Sequence, residues 1–144
     1  MELEVVYSIE NLEELQELYQ TYPWWEDREI ENLKQAVEQT DIIIGLRDLQ
    51  DDSLVASARV LTDYVYYGKV FDVIVDESLR GEGVGQKAMN AITEHPDLQE
   101  IEALTLNCQE ALVPFYERCG FDVKDMTVGL PDGTEEDYHV MVRS

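Results

Sequence analysis

The residues best placed for chemistry fall in one run, Val70 to Gln86, which passes through Arg80-Gly81-Glu82-Gly83-Val84-Gly85-Gln86. Three alternating glycines let a backbone approach a ligand with no Cβ in the way, and they supply the positive φ that a tight turn needs. Beyond them Val84, Ala88, Ala91 and Ile92 recur at helical spacing, so the glycines head a helix. A helix start offers unpaired N–H groups and the positive end of a dipole, which together suit a phosphate or another anion. Arg80 adds a fixed positive charge in a chain whose formal net charge is −22. Upstream, Val70, Phe71, Val73, Ile74 and Val75 have the β-branched richness of a buried strand, and Asp76-Glu77-Ser78 breaks it.

Two familiar phosphate loops do not fit. A P-loop needs Lys and a hydroxyl residue after its second glycine, whereas Gln86 and Ala88 occupy the corresponding stretch. A dinucleotide fingerprint needs Gly-x-Gly-x-x-Gly and a second βαβ half, whereas this run is Gly-x-Gly-x-Gly. Arg80 to Gly85 does match Arg/Gln-x-x-Gly-x-Gly/Ala, and in its strand, turn and helix context it resembles the GNAT superfamily of N-acetyltransferases. The resemblance extends to Leu104-Thr105-Leu106-Asn107, similar to that family's next strand. It extends also to Pro114-Phe115-Tyr116-Glu117-Arg118-Cys119-Gly120-Phe121, similar to its FYxxxGF helix and turn.

That resemblance implies an α/β fold: a mixed, largely antiparallel sheet of six to seven strands with one splayed parallel pair, flanked by about four helices. It implies a single domain over residues 1–144, acetyl-coenzyme A as donor, and a primary amine as acceptor, from a small molecule or a peptide. Direct attack on the thioester is expected. The pyrophosphate would rest on the backbone of Arg80, Gly81, Glu82, Gly83, Val84, Gly85 and Gln86, and the pantetheine arm along Val73, Ile74 and Val75, with Phe115 nearby. Tyr116 stands where the family places its general acid, and a phenol can donate where Phe115 cannot. A core tyrosine on an apolar helical face is the other reading. Asn107 either bonds the pantetheine arm or caps its strand. A coenzyme-A-binding sensor without turnover is the alternative to an enzyme.

These residues need elements to hold them. Leu3 to Ser8 reads as a strand, Glu10 to Tyr22 as an amphipathic helix stopped by Pro23, and Arg28 to Gln39 as a second helix. In the family the link between those helices lies over the acceptor pocket, so Trp24, Trp25, Glu26 and Arg28 become candidate substrate contacts. The two tryptophans could equally plug the helix break. Ile42 to Leu46 and Leu54 to Leu61 read as a hairpin around Asp48 to Ser53. Arg59 inside its second strand requires a carboxylate, Asp63 or Asp72, or a ligand anion. Tyr64, Tyr66 and Tyr67 crowd the following turn, toward the acceptor side. Asp72, Asp63 and Glu26 are carboxylates that could deprotonate the amine, with no means of choosing among them.

Strand, helix, strand through Asn107 requires a right-handed parallel crossover, so the strands ending near Val75 and Asn107 are expected to be parallel neighbours. Leu112, Phe115, Tyr116 and Cys119 share a helical face, with Gly120 as the residue after the helix. Phe121 to Val123 and Tyr138 to Val142 read as strands, with a turn at Pro131-Asp132-Gly133.

Composition narrows the partners. A chain of 144 residues with 44% hydrophobic content can close one core. Its charge repels nucleic acid and anionic membranes, and the 32 acids are spread along the chain beside only ten Lys and Arg. That spread fits a cytoplasm of molar salt, a halophilic acidic protein, against a mesophilic one with a cationic partner. No apolar run spans a membrane and Met1-Glu2-Leu3-Glu4 begins no signal peptide, so a cytoplasmic protein is expected. Cys108 and Cys119 make no disulfide framework, and no Cys/His spacing marks a metal site. Cys108 reads as a buried filler or a reactive thiol. An exposed edge near the C-terminal strands would invite a homodimer.

Overall fold

The computed structural model describes residues 1–124, 128–129, 135–136 and 138–143. In chain order the elements are β1 (Leu3–Val6), α1 (Leu12–Gln20), α2 (Ile30–Glu38), β2 (Ile42–Asp48), β3 (Ser53–Thr62), β4 (Tyr67–Val75), α3 (Val84–Thr93), β5 (Ala103–Gln109), α4 (Val113–Arg118), β6 (Asp122–Lys124), β7 (Val128–Gly129), β8 (Glu135–Glu136) and β9 (Tyr138–Arg143). Seven strands form one sheet in the order β1-β2-β3-β4-β5-β9-β6, and β7 pairs β8 apart from it. Every neighbour in the large sheet is antiparallel except β4 and β5. This is the expected mixed α/β fold with four helices. The turn expected at Pro131 to Gly133 lies outside the described residues.

Alternation along β2 assigns the layers. Ile42 and Ile44 pack with Met89 and Ile92 of α3 and with Tyr116 of α4, whereas Ile43 packs with Leu15 and Leu18 of α1 and Leu33 of α2. One face of the sheet therefore carries α3 and α4, and the other α1 and α2. Ile44, Ala88, Met89 and Ile92 are fully buried, and each large side chain removed from water contributes about 1.5–3 kcal/mol.

Helix ends depart from the sequence reading in instructive ways. Asn11 caps α1, its side chain accepting from the Glu13 N–H, but the helix stops at Gln20, before Tyr22 and Pro23. Bonds from Tyr22 to Tyr19, Trp25 to Tyr22 and Arg28 to Trp25 then carry the chain through successive i to i−3 turns to α2 at Ile30. The link is consequently tightly wound. Leu112 is not on the buried face of α4 as its spacing suggested: it precedes the helix in a 3-10 turn and is 46% exposed. Gly120 follows the Cys119 cap with φ of 94°, as expected of the residue after a helix.

Candidate active site

β4 and β5 pair only through Tyr67↔Ala103, Gly68↔Leu104 and Lys69↔Thr105, after which they part while β5 stays paired with β9. On its other side β4 pairs Phe71 with Arg59 and Ile74 with Ser57, three steps on β4 against two on β3. The extra residue makes a bulge at Asp72, whose φ is 54°. A left-handed aspartate costs about 1 kcal/mol, less than a β-branched residue would. Past the bulge the Asp76 N–H donates to the Val55 carbonyl at 2.8 Å, with Ala56 opposite Val75. In an antiparallel ladder that pattern turns the N–H and carbonyl of Val75 away from β3 and into the gap. Val73, Ile74 and Val75 thus border a strand edge that no strand pairs, with the Val75 carbonyl taken by the Tyr22 hydroxyl.

The loop after β4 is built for anions from its backbone. The N–H groups of Gly81, Glu82, Gly83, Val84, Gly85 and Gln86 donate to nothing among the described residues, and the first bond of α3 runs from the Lys87 N–H to the Gly83 carbonyl. Gly81 and Gly83 each have φ of 81°, with no atom within 4 Å of where a Cβ would stand. Conformation, not crowding, demands glycine there. Gly85 is the reverse case: its Cβ would lie 3.2 Å from Phe115 Cζ and 3.5 Å from Val75 Cγ2. Gly85 therefore brings Phe115, the end of β4 and the head of α3 together.

Arg80 is aimed by a residue that no sequence motif marks, Tyr22. Its Nε donates to the Tyr22 hydroxyl oxygen at 3.1 Å, its guanidinium lies over the Tyr22 ring at 4.9 Å, and Tyr22 Oη donates to the Val75 carbonyl at 2.6 Å. The Nη groups of Arg80 stay unpaired among the described residues. Tyr22 looked like one more apolar position of α1. Its polar tip finds use only because the wound link brings it across the end of β4.

Tyr116 packs beside Phe115 and Phe121 with ring centres 4.9 and 6.3 Å away, and is buried. Its hydroxyl makes no hydrogen bond among the described residues, and burial pushes its acidity well below that of a free phenol. Asn107 is exposed inside β5, on the face opposite buried Leu106 and Cys108. Since β5 continues to Gln109 and Asn107 makes no capping bond, the strand-cap reading does not hold. Cys108 is a filler, with its Sγ 3.5 Å from Met141 Sδ and its thiol pushed up by burial.

Across the bulge the side chains converge from three segments. Arg28 Nη1 and Nη2 reach Asp72 Oδ2 and Oδ1 at 2.9 and 3.2 Å, and Arg59 Nε reaches Oδ2 at 2.7 Å. Of the two partners the sequence offered for Arg59, the structure selects Asp72. Burial works to raise the Asp72 carboxyl, but hydrogen bonds and charge from both arginines outweigh it and hold the group below the usual aspartate range. Its lone pairs are committed, which removes Asp72 as a general base. Asp63 is removed too, because its Oδ1 accepts the N–H groups of Val65, Tyr66 and Tyr67 at the turn into β4, nine residues from Asp72. Tyr64, Tyr66 and Tyr67 lie exposed at that turn, at the end of β4 away from the bulge. Glu26 is exposed. Trp25 packs on Tyr19 at 5.3 Å and under the Arg28 guanidinium at 5.0 Å, while Trp24 is 65% exposed. The tryptophans divide, one as plug and one presented to solvent.

The comparisons with known proteins agree with this geometry. Residues 6–121 match the Acetyltransferase (GNAT) family, so the chain belongs to that family and is an N-acetyltransferase. It is 31% identical over 127 residues to the uncharacterized N-acetyltransferase ycf52 of Porphyra purpurea, covering 87% of this chain and 69% of that one. It is 30% identical over 95 residues to glucosamine 6-phosphate N-acetyltransferase 1 of Oryza sativa subsp. japonica, covering 62% of this chain and 58% of that protein. A crystal structure of a GNAT-family protein from Xanthomonas campestris superposes with a TM-score of 0.72 at 26% identity, covering 85% of each chain.

Proposed function

We propose that this N-acetyltransferase takes its acetyl group from acetyl-coenzyme A and passes it to a primary amine in one direct step. The observation that carries the reading is the run of six N–H groups from Gly81 to Gln86 with no partner among the described residues, set beside the unpaired edge of β4. When bound, acetyl-coenzyme A supplies a thioester whose carbonyl carbon the amine nitrogen attacks, the C–N bond forming as C–S breaks and the sulfur leaves with a proton. The residues present fit it: a pyrophosphate on the loop N–H groups with Arg80 alongside, and amide groups along the β4 edge as an added strand.

A main-chain N–H at the bulge, near Val73 or Ile74, lies where charge grows on the carbonyl oxygen. Tyr116 holds its proton throughout the neutral range and donates it to the departing sulfur. Burial that weakens the phenol as an acid also makes a thiolate in the same place a stronger base, which restores the match. With Asp72 and Asp63 committed elsewhere and Glu26 exposed on the α1–α2 link, the amine loses its proton to water, directly or on the way to Glu26. A small-molecule amine is the first acceptor class and a peptide amine the second. Cytoplasmic placement belongs to this reading; no described helix is long and apolar enough to cross a membrane.

The test is free-thiol release from acetyl-coenzyme A with a panel of amines, alongside calorimetry of donor binding. Micromolar binding and amine-dependent thiol release are expected. Binding without release on any amine would instead favour a coenzyme-A sensor.

A further inference from the structure

The face of the sheet beside the bulge has a charge opposite to that of the protein. Arg28 and Arg59 share the single carboxylate of Asp72, so the trio carries one surplus positive charge. Arg59 Nη1 donates to Thr40 Oγ1 at 3.3 Å, and its Nη2 donates to nothing among the described residues. Phe71 extends the strip, with the Arg59 guanidinium 5.5 Å and Lys69 Nζ 5.4 Å from its ring centre. Lys69 pairs with no acid among the described residues, and with Leu61, Thr62, Tyr67 and Thr105 it lines an open hollow of about 410 Å³. Asp63 borders that hollow too and stays ionised, its Oδ1 taking three N–H groups of its own turn, so Arg28, Arg59, Lys69, Asp72 and Asp63 together sum to one positive charge. Three of the chain's ten Lys and Arg thus gather on one strip beside the open edge of β4.

Cations held half-buried in a protein of net charge −22 need a counter-charge, and Asp72 supplies only one. A polyamine or other multiply charged cation would be repelled here. We infer that the acceptor amine carries an acidic group, a carboxylate or a phosphate, that docks on Arg59 and Lys69 over Phe71, with Arg28 and Asp72 holding Arg59 in place. At about 3.3 Å per strand residue, Phe71 and Lys69 lie roughly 7 and 13 Å along β4 from Val73. An acid seated on Arg59 over Phe71 thus stands about 7 Å, or five to six bonds, from an amine at Val73, and the long Lys69 side chain reaches back toward it. This rests on the proposed amine acetylation and names its substrate class.

The test uses matched amines with saturating acetyl-coenzyme A: 4-aminobutyrate against 4-aminobutanamide, O-phosphoethanolamine against ethanolamine, and putrescine as a dication. The acidic member of at least one pair is expected to lead by tenfold or more in kcat/KM, chiefly through KM, and the leading pair identifies carboxylate or phosphate. Arg59→Gln should collapse that lead. Since that variant also strips Asp72 of a partner, Lys69→Gln serves as a second variant and should cut the lead at least threefold with an unchanged melting temperature. Equal turnover of neutral and acidic members, or preference for putrescine, would overturn the inference while leaving acetyl transfer intact. Donor binding with no thiol release on any amine would overturn the acetylation reading itself, and this inference with it.

Discussion

The charged strip around Asp72 lies on β4 and the loop at residues 80–86 follows the end of that strand, and the two are made of different materials. The loop offers backbone: consecutive N–H groups, two glycines in the left-handed region, and one arginine aimed by Tyr22. The strip is side chains alone, with Arg28, Arg59 and Asp72 drawn from the α1–α2 link, β3 and β4, and with Arg28 stacked on Tyr19 and Trp25 and Arg59 on Phe71. A backbone site can serve any member of a family that shares a donor, because it depends on conformation. A side-chain site can change residue by residue with the acceptor. The two should therefore respond to mutation in different observables.

The largest effect is expected at the residue that belongs to neither. Tyr116→Phe removes only the donor hydroxyl and should lower kcat about a hundredfold or more, with donor affinity within about twofold by calorimetry. Equal losses in both would return Tyr116 to the core. Gly83→Val comes next and tests whether the loop acts through conformation. A β-branched residue at a φ of 81° is strained by about 1–2 kcal/mol, so the Kd for acetyl-coenzyme A should rise about five- to thirtyfold. Because the space is open, Gly83→Asn should cost under about threefold. Similar losses for both would point to crowding instead.

Asp72→Asn tests the strip through stability. It leaves two guanidinia without their anion, and at neutral pH it should cost about 1–3 kcal/mol by denaturant titration, discounted because Arg28 and Arg59 are partly solvated. The sign follows from the lowered Asp72 group: its contribution is complete above the unfolded aspartate value near 3.9 and disappears as pH falls through the still lower folded value. Wild type and variant should therefore converge only in strong acid. The smallest effect distinguishes neither region. With net charge −22, raising KCl from about 0.1 to 1 M shortens the screening length from about 10 to 3 Å and should lift the melting temperature by several degrees. No rise, or a fall, would remove the halophilic reading.

Strand, glycine loop and helix were legible because each depends on its own neighbours in sequence: β-branched residues, punctuation by glycine, then helical spacing. The pairing of β4 with β5 followed from the length and hand of the crossover. The α1–α2 link was less legible. Pro23 suggested a stop two residues too late, since i to i−3 bonds take over after Gln20. Leu112 kept helical spacing with Phe115 and Cys119 yet lies before Pro114 in a 3-10 turn, where periodicity carries no information about burial.

By itself the sequence determined the loop at the head of α3, its family and the tyrosine next to Phe115, because main-chain geometry is set by local residue types. Only the tertiary structure decided that Tyr22 aims Arg80, that Asp72 is held by two arginines and so is no base, and that Lys69 joins them on one strip. Those pairings link residues up to 58 positions apart, and nothing short of the folded sheet and its wound α1–α2 link brings them within hydrogen-bond or ring-stacking reach.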